Sequence, residues 1–194
     1  QKNELQIQLL ITGVGQMLTA FALGSILSTK SFDLLINAGV AGAFDRSLKL
    51  GTVVNVVSER LGDLGAEDRD GLFIDVHELG LIDGSTPPFE NDILANPTVM
   101  QFDFLPNVKG LTINKVHGSD ESIASIQKKY PNIQIESMEG AAFFYAALMA
   151  DVPFLQIRAI SNYVEARNRA AWELGLAIEE ENKVLVEMIE GFGG

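Results

Sequence analysis

Apolar residues in this chain fall into short runs and helical repeats that alternate along the sequence. The apolar run Ile7–Thr12 predicts a buried strand that stops at a glycine turn over Gly13–Gly15. Gln16–Lys30, with its alanines and spaced leucines, predicts a helix. Asp33–Asn37 predicts a second buried strand, closed by a small-residue turn over Ala38–Gly42. The order strand, helix, strand is typical of a βαβ unit, so we expect parallel pairing with a right-handed crossover.

The rest of the chain continues this alternation after one interruption. Gly, Pro, Asp and Asn cluster between Glu59 and Pro106, which predicts a long loop region. The remaining predicted strands are Thr52–Ser58, Gly110–Val116, Ile133–Met138 and Phe154–Ile160, and the remaining predicted helices are Ser119–Tyr130, Glu139–Ala150 and Arg169–Ile189. We therefore predict one α/β domain over residues 1–194 with three layers, αβα, around a central, mostly parallel mixed sheet.

Composition excludes several classes of function. Cysteine is absent and there are only two histidines, so neither a disulfide framework nor a thiolate or imidazole metal site is expected. A net charge of −12 argues against a nucleic-acid surface, although a neutral nucleoside remains a possible ligand. No apolar run approaches the roughly 18 residues that cross a bilayer, and no signal peptide is evident. These features predict a soluble cytoplasmic protein with no cofactor and no membrane partner.

Three predicted strand ends carry the residues of greatest chemical interest. In an open α/β sheet, ligands bind beyond the carboxyl ends of the strands, where loops from several strands converge. The segments are Asn37–Gly42, where small residues allow close approach of the backbone, Glu136–Gly140, with two carboxylates at a strand-to-helix junction, and Arg158–Asn162, where polar groups end an apolar strand.

Each feature taken alone has an ordinary structural explanation. Glu139 would be stabilised at the positive end of its helix, and Asn162 is a common turn or capping residue. His117 on a loop is more often solvated or hydrogen-bonded than catalytic. Gly13–Gly15 completes no dinucleotide or phosphate-binding motif, and the acidic run Glu179–Glu181 is typical of a solvated helix face. The interpretation therefore depends on their combination.

The ordered set of motifs resembles the nucleoside phosphorylase and nucleosidase superfamily. The segments that carry the resemblance are Asn37–Gly42, Glu136–Ala142 and Arg158–Asn162. Within that superfamily, Glu136–Glu165, Arg167–Arg169 and Leu64–Asp68 are most similar to futalosine hydrolases, which release hypoxanthine from futalosine in a route to menaquinone. The likeness covers nearly the whole chain, and its two C-terminal motifs are the specific part.

The resemblance implies a role for each matching residue. Glu139 would accept hydrogen bonds from the ribose hydroxyls and stabilise the positive charge that develops as the glycosidic bond breaks. Met138 would pack on the sugar face. The other implied substrate contacts are Val40, Ala41 and Gly42 on the ribosyl and water side, Val116 and His117 around the base, Ser161 beside Asn162, and Arg158 as a possible anion partner.

Asn162 departs from the related methylthioadenosine nucleosidases, which carry aspartate at this position. Hypoxanthine presents hydrogen-bond acceptors at both N7 and O6, whereas adenine presents an acceptor beside an amino donor. An asparagine NH₂ group supplies donors, so the substitution favours a 6-oxopurine. Asparagine cannot act as a general acid and would stabilise the leaving base by hydrogen bonding instead.

Several alternatives stay open at this point. The family's water-activating glutamate cannot be placed in this chain, and we expect it upstream of Gln1 together with an opening strand. Hydrolysis is preferred because the arginines that a phosphorylase collects are not evident. The other hypotheses are a methylthioadenosine/S-adenosylhomocysteine nucleosidase, a purine nucleoside phosphorylase, and a non-catalytic nucleoside-binding domain. A homodimer or larger homo-oligomer is also implied, with Phe102–Pro106 as a possible contact or a core segment.

Overall fold

The computed structural model describes residues 5–98 and 104–192. Its helices are α1 (Gln16–Leu27), α2 (Asp120–Lys129), α3 (Gly140–Met149) and α4 (Leu174–Phe192), with a short 3-10 turn over Arg169–Ala171. Its strands are β1 (Leu35–Ala43), β2 (Val53–Leu61), β3 (Gly65–Glu67), β4 (Phe73–Asp75), β5 (Phe89–Glu90), β6 (Ile93–Ala95), β7 (Asn107–Thr112), β8 (Ile135–Ser137) and β9 (Phe154–Tyr163). No helix in the described part of the chain is both long and apolar enough to cross a membrane.

The strands form a mixed seven-stranded sheet in the order β5-β6-β2-β7-β8-β1-β9, and a further β2–β9 pairing joins the last strand back to β2. The parallel pairings are β1–β9, β2–β7 and β7–β8, and the first of these runs the full length of β1. The antiparallel pairings are short. Because β1 and β9 are matched along their length, their carboxyl ends lie side by side, which is where the predicted site residues are.

Local sequence explains why the helices begin and end where they do. Ser119 caps α2 by accepting a hydrogen bond from the Ser122 N–H, and α2 carries acidic residues in its first turn and lysines in its last. Helix α3 is almost wholly apolar, and Phe143 and Phe144 make edge-on contacts with Phe154 of β9. Because these aromatic side chains are buried, they fix the position of α3, and Glu139 is therefore held at its N-cap.

Alternate residues of β1 pack with different helices. Ala41 and Ala43 belong to a buried cluster that also holds Leu23 of α1 and residues of α3. Val40 packs on a second cluster that contains Ala177 and Met188 of α4. This alternation is the period of two expected for a strand with both faces covered.

The predicted opening strand at Ile7–Thr12 is wrong. These residues form no strand, and Ile7, Leu9 and Ile11 are 62%, 85% and 86% exposed. Within the described residues β1 pairs with β9 and, at its end, with β8, so no pairing to this run completes a βαβ unit. An apolar run shows that a segment favours burial, but it does not identify the strand that pairs with it.

The predicted turn at Ala38–Gly42 is also wrong, since this run is the second half of β1. The small residues are required by contacts with β9 rather than by a turn. A β-carbon on Gly42 would lie 3.1 Å from Asn162 Nδ2 and Val164 Cγ2, and one on Gly39 would lie in ordinary contact with the Arg158 guanidinium at 3.4 Å. Ser161 and Asn162 likewise lie within β9 and do not follow it, because the strand extends to Tyr163.

The region from Glu59 to Pro106 is more ordered than its composition suggests. β2 continues through Glu59 to Leu61, and the short strands β3 to β6 follow. The predicted helices agree with α2 and α3 to within a residue or two, while the predicted Arg169–Ile189 helix is a 3-10 turn followed by α4. Phe102 and Asp103 of the predicted contact segment lie outside the described residues, and Leu105 packs beside the α4 cluster.

Candidate active site

Glu139 lies between the end of β8 and the first turn of α3, where it is partly buried. Its Oε1 accepts the Gly15 N–H at 2.9 Å, and its Oε2 accepts the Met138 N–H at 3.3 Å. Gly15 is the N-cap of α1, so the carboxylate lies at the N-termini of two helices, where their dipoles favour negative charge. Two of the roughly four acceptor positions on a carboxylate are used here, which leaves capacity for two substrate hydroxyls.

The Gly13–Gly15 turn therefore contributes to the candidate site, which the sequence analysis did not predict. Gly13 and Gly15 have φ angles of +85° and +91°, a region that residues with a side chain rarely adopt. A β-carbon on Gly13 would lie 2.9 Å from Leu18. These glycines direct the Gly15 N–H at Glu139.

A network of buried polar side chains lies behind Glu139. Gln156 donates to Glu59 Oε1 at 2.5 Å and accepts from Asn37 Nδ2 at 2.8 Å. Glu59 also accepts from the Thr112 hydroxyl at 2.8 Å. Burial raises the pKa of Glu59 to about 7, although the Thr112 hydroxyl and the Arg158 guanidinium act in the opposite direction. A side chain on Gly140 would collide with Glu59, so this network also fixes the start of α3.

Arg158 is 1% exposed and lies within this network, away from solvent. Its Nη1 donates to the carbonyls of Asn37 and Ile157 at 3.2 and 2.9 Å. Burial lowers the pKa of Arg158, while the charges of Glu139, Glu59 and Glu181 raise it. We therefore assign Arg158 a supporting role behind Glu139, because a guanidinium buried in this way is poorly placed to receive an incoming anion.

The expectation that Glu179–Glu181 is a solvated face is wrong for Glu181. This residue is 7% exposed, and its Oε1 accepts the Gly39 N–H of β1 at 2.5 Å. Burial raises the pKa of Glu181 to about 7, against the opposing effects of the Gly39 hydrogen bond and the Arg158 charge. Helix α4 thus contributes a carboxylate to the strand that carries the predicted ribosyl contacts.

We expect Glu181 to make stability depend on pH. A pKa raised from 4.5 to about 7 means that the folded state binds the Glu181 proton more tightly than the unfolded state does. The stabilisation that this proton gives the folded state is therefore complete below pH 4.5 and is lost as the pH rises to 7. Glu181→Gln should flatten the fall in the free energy of unfolding over this range by about 1–3 kcal/mol. Urea unfolding between pH 4.5 and 7 measures this free energy of unfolding. Glu180→Gln on the same helix is the control. Parallel curves for wild type and Glu181→Gln would contradict the assignment.

Asn162 faces the end of β1 with its amide orientation fixed. Oδ1 accepts from the Ser161 hydroxyl at 2.9 Å, and Nδ2 donates to the Tyr163 carbonyl at 3.0 Å. A β-carbon on Gly42 would lie 3.1 Å from both Asn162 Nδ2 and Val164 Cγ2, so close packing at this point requires a glycine. The role of Asn162 toward the base stays a prediction.

His117 is held by Glu136, which lies on β8 in the same row as Gly42 and Asn162. The His117 Nδ1 lies 2.6 Å from Glu136 Oε2, and the His117 N–H donates to Glu136 Oε1 at 3.3 Å. Glu136 is 2% exposed. Burial raises its pKa, while the hydrogen bonds and charge of His117 lower it.

The other predicted contacts are brought together only in part. Val40 and Ala41 belong to different buried clusters, so their side chains lie on opposite faces of β1 and contribute backbone more readily than side chains to one site. Val116 packs beside the Leu111 and Ile113 cluster, one residue before His117. Met138 lies between Glu136 and Glu139 and is partly buried. Among the described residues no group of three or more acidic or histidine side chains could hold a metal ion.

A separate cavity of about 290 Å³ is lined by charged residues, but it contains none of the predicted contacts. Two of its three cations are already paired: Lys129 lies 3.4 Å from Asp75 and also contacts Glu78, and Arg60 lies 3.7 Å from Asp92. We assign this cavity no part in the candidate site.

Several known proteins are similar to this chain in fold or in sequence. No family model matches the chain. The 5′-methylthioadenosine/S-adenosylhomocysteine nucleosidase from Colwellia psychrerythraea, solved with adenine, superimposes with a TM-score of 0.73 at 22% identity, over 92% of this chain and 75% of that one. The futalosine hydrolase of Helicobacter pylori gives a TM-score of 0.72 at 14% identity, over 93% and 77%. The class is therefore a mixed α/β protein with the nucleosidase fold.

Sequence similarity identifies the family within that class. The chain is 33% identical over 152 residues to the futalosine hydrolase of Streptomyces coelicolor, covering 78% of this chain and 63% of that protein. It is 32% identical over 171 residues to the futalosine hydrolase of Acidothermus cellulolyticus, covering 86% and 68%. The chain belongs to the futalosine hydrolase family. It spans about two thirds of the length of these relatives.

Proposed function

We propose that this protein is an N-ribosyl hydrolase that cleaves futalosine and releases hypoxanthine, within the futalosine route to menaquinone. The observation that carries the proposal is the Asn162 amide, whose Oδ1 accepts from the Ser161 hydroxyl and whose Nδ2 donates to the Tyr163 carbonyl, so that the second N–H would donate to the base. A fixed donor suits a purine that carries acceptors at N7 and O6. The membership of the chain in the futalosine hydrolase family supports the same substrate.

Glu139 would bind the sugar. Its carboxylate is oriented by two backbone N–H groups, so it can accept from two ribose hydroxyls without reorganisation. As the bond to the base breaks, positive charge develops on the ribosyl ring, and a fixed carboxylate nearby stabilises that transition state more than the ground state. The electron pair of the broken bond leaves with the purine, where the Asn162 N–H stabilises it.

The arginines support hydrolysis over phosphorolysis. Arg158 is buried against carbonyls, Arg46 pairs with Glu165 at 2.7 Å, and Arg60 lies 3.7 Å from Asp92. In the described residues these three groups do not converge on one anion site. We therefore propose water as the nucleophile.

A direct assay distinguishes the hypotheses. The protein is incubated with futalosine, inosine and methylthioadenosine, each with and without phosphate, and the released base is quantified. We expect hypoxanthine from futalosine at a rate that does not depend on phosphate. Phosphate-dependent cleavage of inosine would favour a nucleoside phosphorylase, and adenine release would favour a methylthioadenosine nucleosidase. Binding of futalosine without turnover would favour the non-catalytic domain.

We also propose the finer features of architecture and assembly. Buried clusters that join α1 and α3 to one set of β1 residues and α4 to the other set support a single domain with three layers, αβα. We propose a homodimer or larger homo-oligomer in the cytoplasm, which sedimentation of the full-length protein and fractionation of its native cells would test. A monomer at micromolar concentration would contradict the assembly.

A further inference from the structure

We propose that Thr112 is a positioning residue for Glu139: its hydroxyl, held by Glu59, caps helix α3 in place of the Glu139 side chain, so that the Glu139 carboxylate stays available to the substrate. The inference deepens the proposed function and rests on it, because it requires Glu139 to act on the ribosyl group. It adds two buried residues, one on β2 and one on β7, to the groups that orient the candidate site.

Helix α3 begins at an N-cap residue whose side chain does not cap it. The side chain at this position usually accepts the backbone N–H of the second or third helical residue. Glu139 makes no such hydrogen bond to α3, a helix that lies wholly within the described residues. Its carboxylate accepts the N–H groups of Gly15 and Met138 instead. The first turn of α3 therefore needs an acceptor from elsewhere in the fold.

Thr112, at the end of β7, supplies that acceptor. Its Oγ1 accepts the N–H of Ala141, the second residue of α3, at 2.6 Å. The same hydroxyl donates to Glu59 Oε2 at 2.8 Å, so its proton points away from the helix and a lone pair faces Ala141. Thr112 and Glu59 are 0% and 1% exposed, so water does not compete for either hydrogen bond.

Glu59 is itself fixed in place. The parallel register of β2 and β7 pairs Glu59 with Gly110, two residues before Thr112. A β-carbon on Gly110 or on Gly140 would collide with the Glu59 carboxylate, so both glycines make room for it. Its other oxygen, Oε1, accepts from Gln156 at 2.5 Å. The Thr112 hydroxyl thus has one orientation, and the position of the first turn of α3 follows from it.

The external cap has a consequence for the chemistry of Glu139. A carboxylate that capped its own helix would use acceptor positions that substrate hydroxyls need. With the cap supplied by Thr112, Glu139 stays at the helix N-terminus, where the dipole stabilises its negative charge, and keeps those positions. Catalysis is sensitive to such placement, since a displacement of about 1 Å can lower a rate about 100-fold.

Two substitutions at one position separate the hydroxyl from the shape of the side chain. Thr112→Val keeps the volume and removes the hydroxyl, whereas Thr112→Ser keeps the hydroxyl and removes the methyl group. Steady-state kinetics on futalosine are corrected for the folded fraction measured by thermal unfolding. We expect kcat to fall about 10- to 100-fold in Thr112→Val with KM nearly unchanged, and less than about threefold in Thr112→Ser. Glu59→Gln, which weakens the acceptor for the hydroxyl, should lower kcat by a smaller factor than Thr112→Val.

A double-mutant cycle tests whether the effect passes through Glu139. Thr112→Val in a Glu139→Gln background should change kcat by less than about threefold, because the group that Thr112 positions is already gone. Amide hydrogen exchange tests the cap without any substrate. Exchange at Ala141 should be about tenfold or more faster in Thr112→Val, relative to the Phe143 amide, which donates to the Glu139 carbonyl at 3.1 Å and keeps its acceptor.

Full kcat in a folded Thr112→Val variant, or equal losses in Thr112→Val and Thr112→Ser, would overturn the inference. Losses that multiply in the double variant would also overturn it, because Thr112 would then act independently of Glu139. Full kcat in Glu59→Gln would overturn the part assigned to Glu59. If the wild type does not cleave futalosine, the proposed function is wrong, while exchange at Ala141 still decides whether Thr112 caps α3.

Discussion

Glu139→Gln should reduce kcat/KM for futalosine by about 100- to 1,000-fold while leaving the protein folded. The carboxylate accepts N–H groups from Gly15 and Met138 on its two oxygens. A glutamine has one oxygen and one NH₂ group, so it can accept only one of these bonds and must point a donor at the other N–H. The variant therefore loses both the orientation of the group and the negative charge that stabilises the developing ribosyl cation.

The measurement is steady-state kinetics on futalosine, with thermal unfolding of each variant as the check on folding. Glu90→Gln, which removes an exposed carboxylate from β5, is the matched control and should be neutral. We expect most of the loss in kcat, because the interaction strengthens as charge develops in the transition state. A reduction smaller than about tenfold would show that Glu139 does not act on the sugar.

The positions of the candidate site residues in the fold could be predicted from the sequence more closely than their surroundings. Glu139 and Asn162 were predicted from motifs at strand ends, and the structure places Glu139 just after β8 and Asn162 next to the last residue of β9. Their roles stay predictions. Local sequence also predicted α2 and α3 closely, because a capping serine and an apolar run are local signals.

The partners of these residues depend on contacts between distant segments, which a single sequence does not show. Gly15 is separated from Glu139 by 124 residues, and Glu181 from Gly39 by 142. One signal was present for the buried network: Gln156 and Arg158 alternate with apolar residues along β9, which is the period of a strand that buries polar groups on one face. Glu181 gave no such signal, because an acidic run on a helix usually faces solvent.

The turn predicted at Ala38–Gly42 failed for a related physical reason. Glycine and alanine are read as turn residues when neighbouring segments are ignored, yet here they accommodate the large polar side chains of the adjacent strand. Gly39 borders the Arg158 guanidinium, and Gly42 borders Asn162 and Glu136. Small residues in β1 are therefore matched by larger polar residues in β8 and β9.

Asn162→Asp should exchange the base preference of the site. An aspartate here would keep the hydrogen bond from the Ser161 hydroxyl, but its second oxygen would face the Tyr163 carbonyl in place of the present N–H. Two oxygens in contact favour the protonated acid, and a carboxyl group that rotates to present this O–H to the ligand becomes a proton donor for N7 of a purine. A carboxyl oxygen can also accept from the amino group of adenine, whereas hypoxanthine O6 loses a donor.

We expect hypoxanthine release from futalosine to fall by about 10- to 100-fold, and adenine release from methylthioadenosine to become measurable. The rate of the variant should also fall as the pH rises, because only the protonated acid donates, which gives a readout that a loss of stability would not produce. Asn162→Ala is the control that removes the donor without adding an acid: it should lose hypoxanthine release and gain no adenine release. If Asn162→Asp kept its full rate on futalosine and released no adenine, the match between this amide and a 6-oxopurine would be wrong.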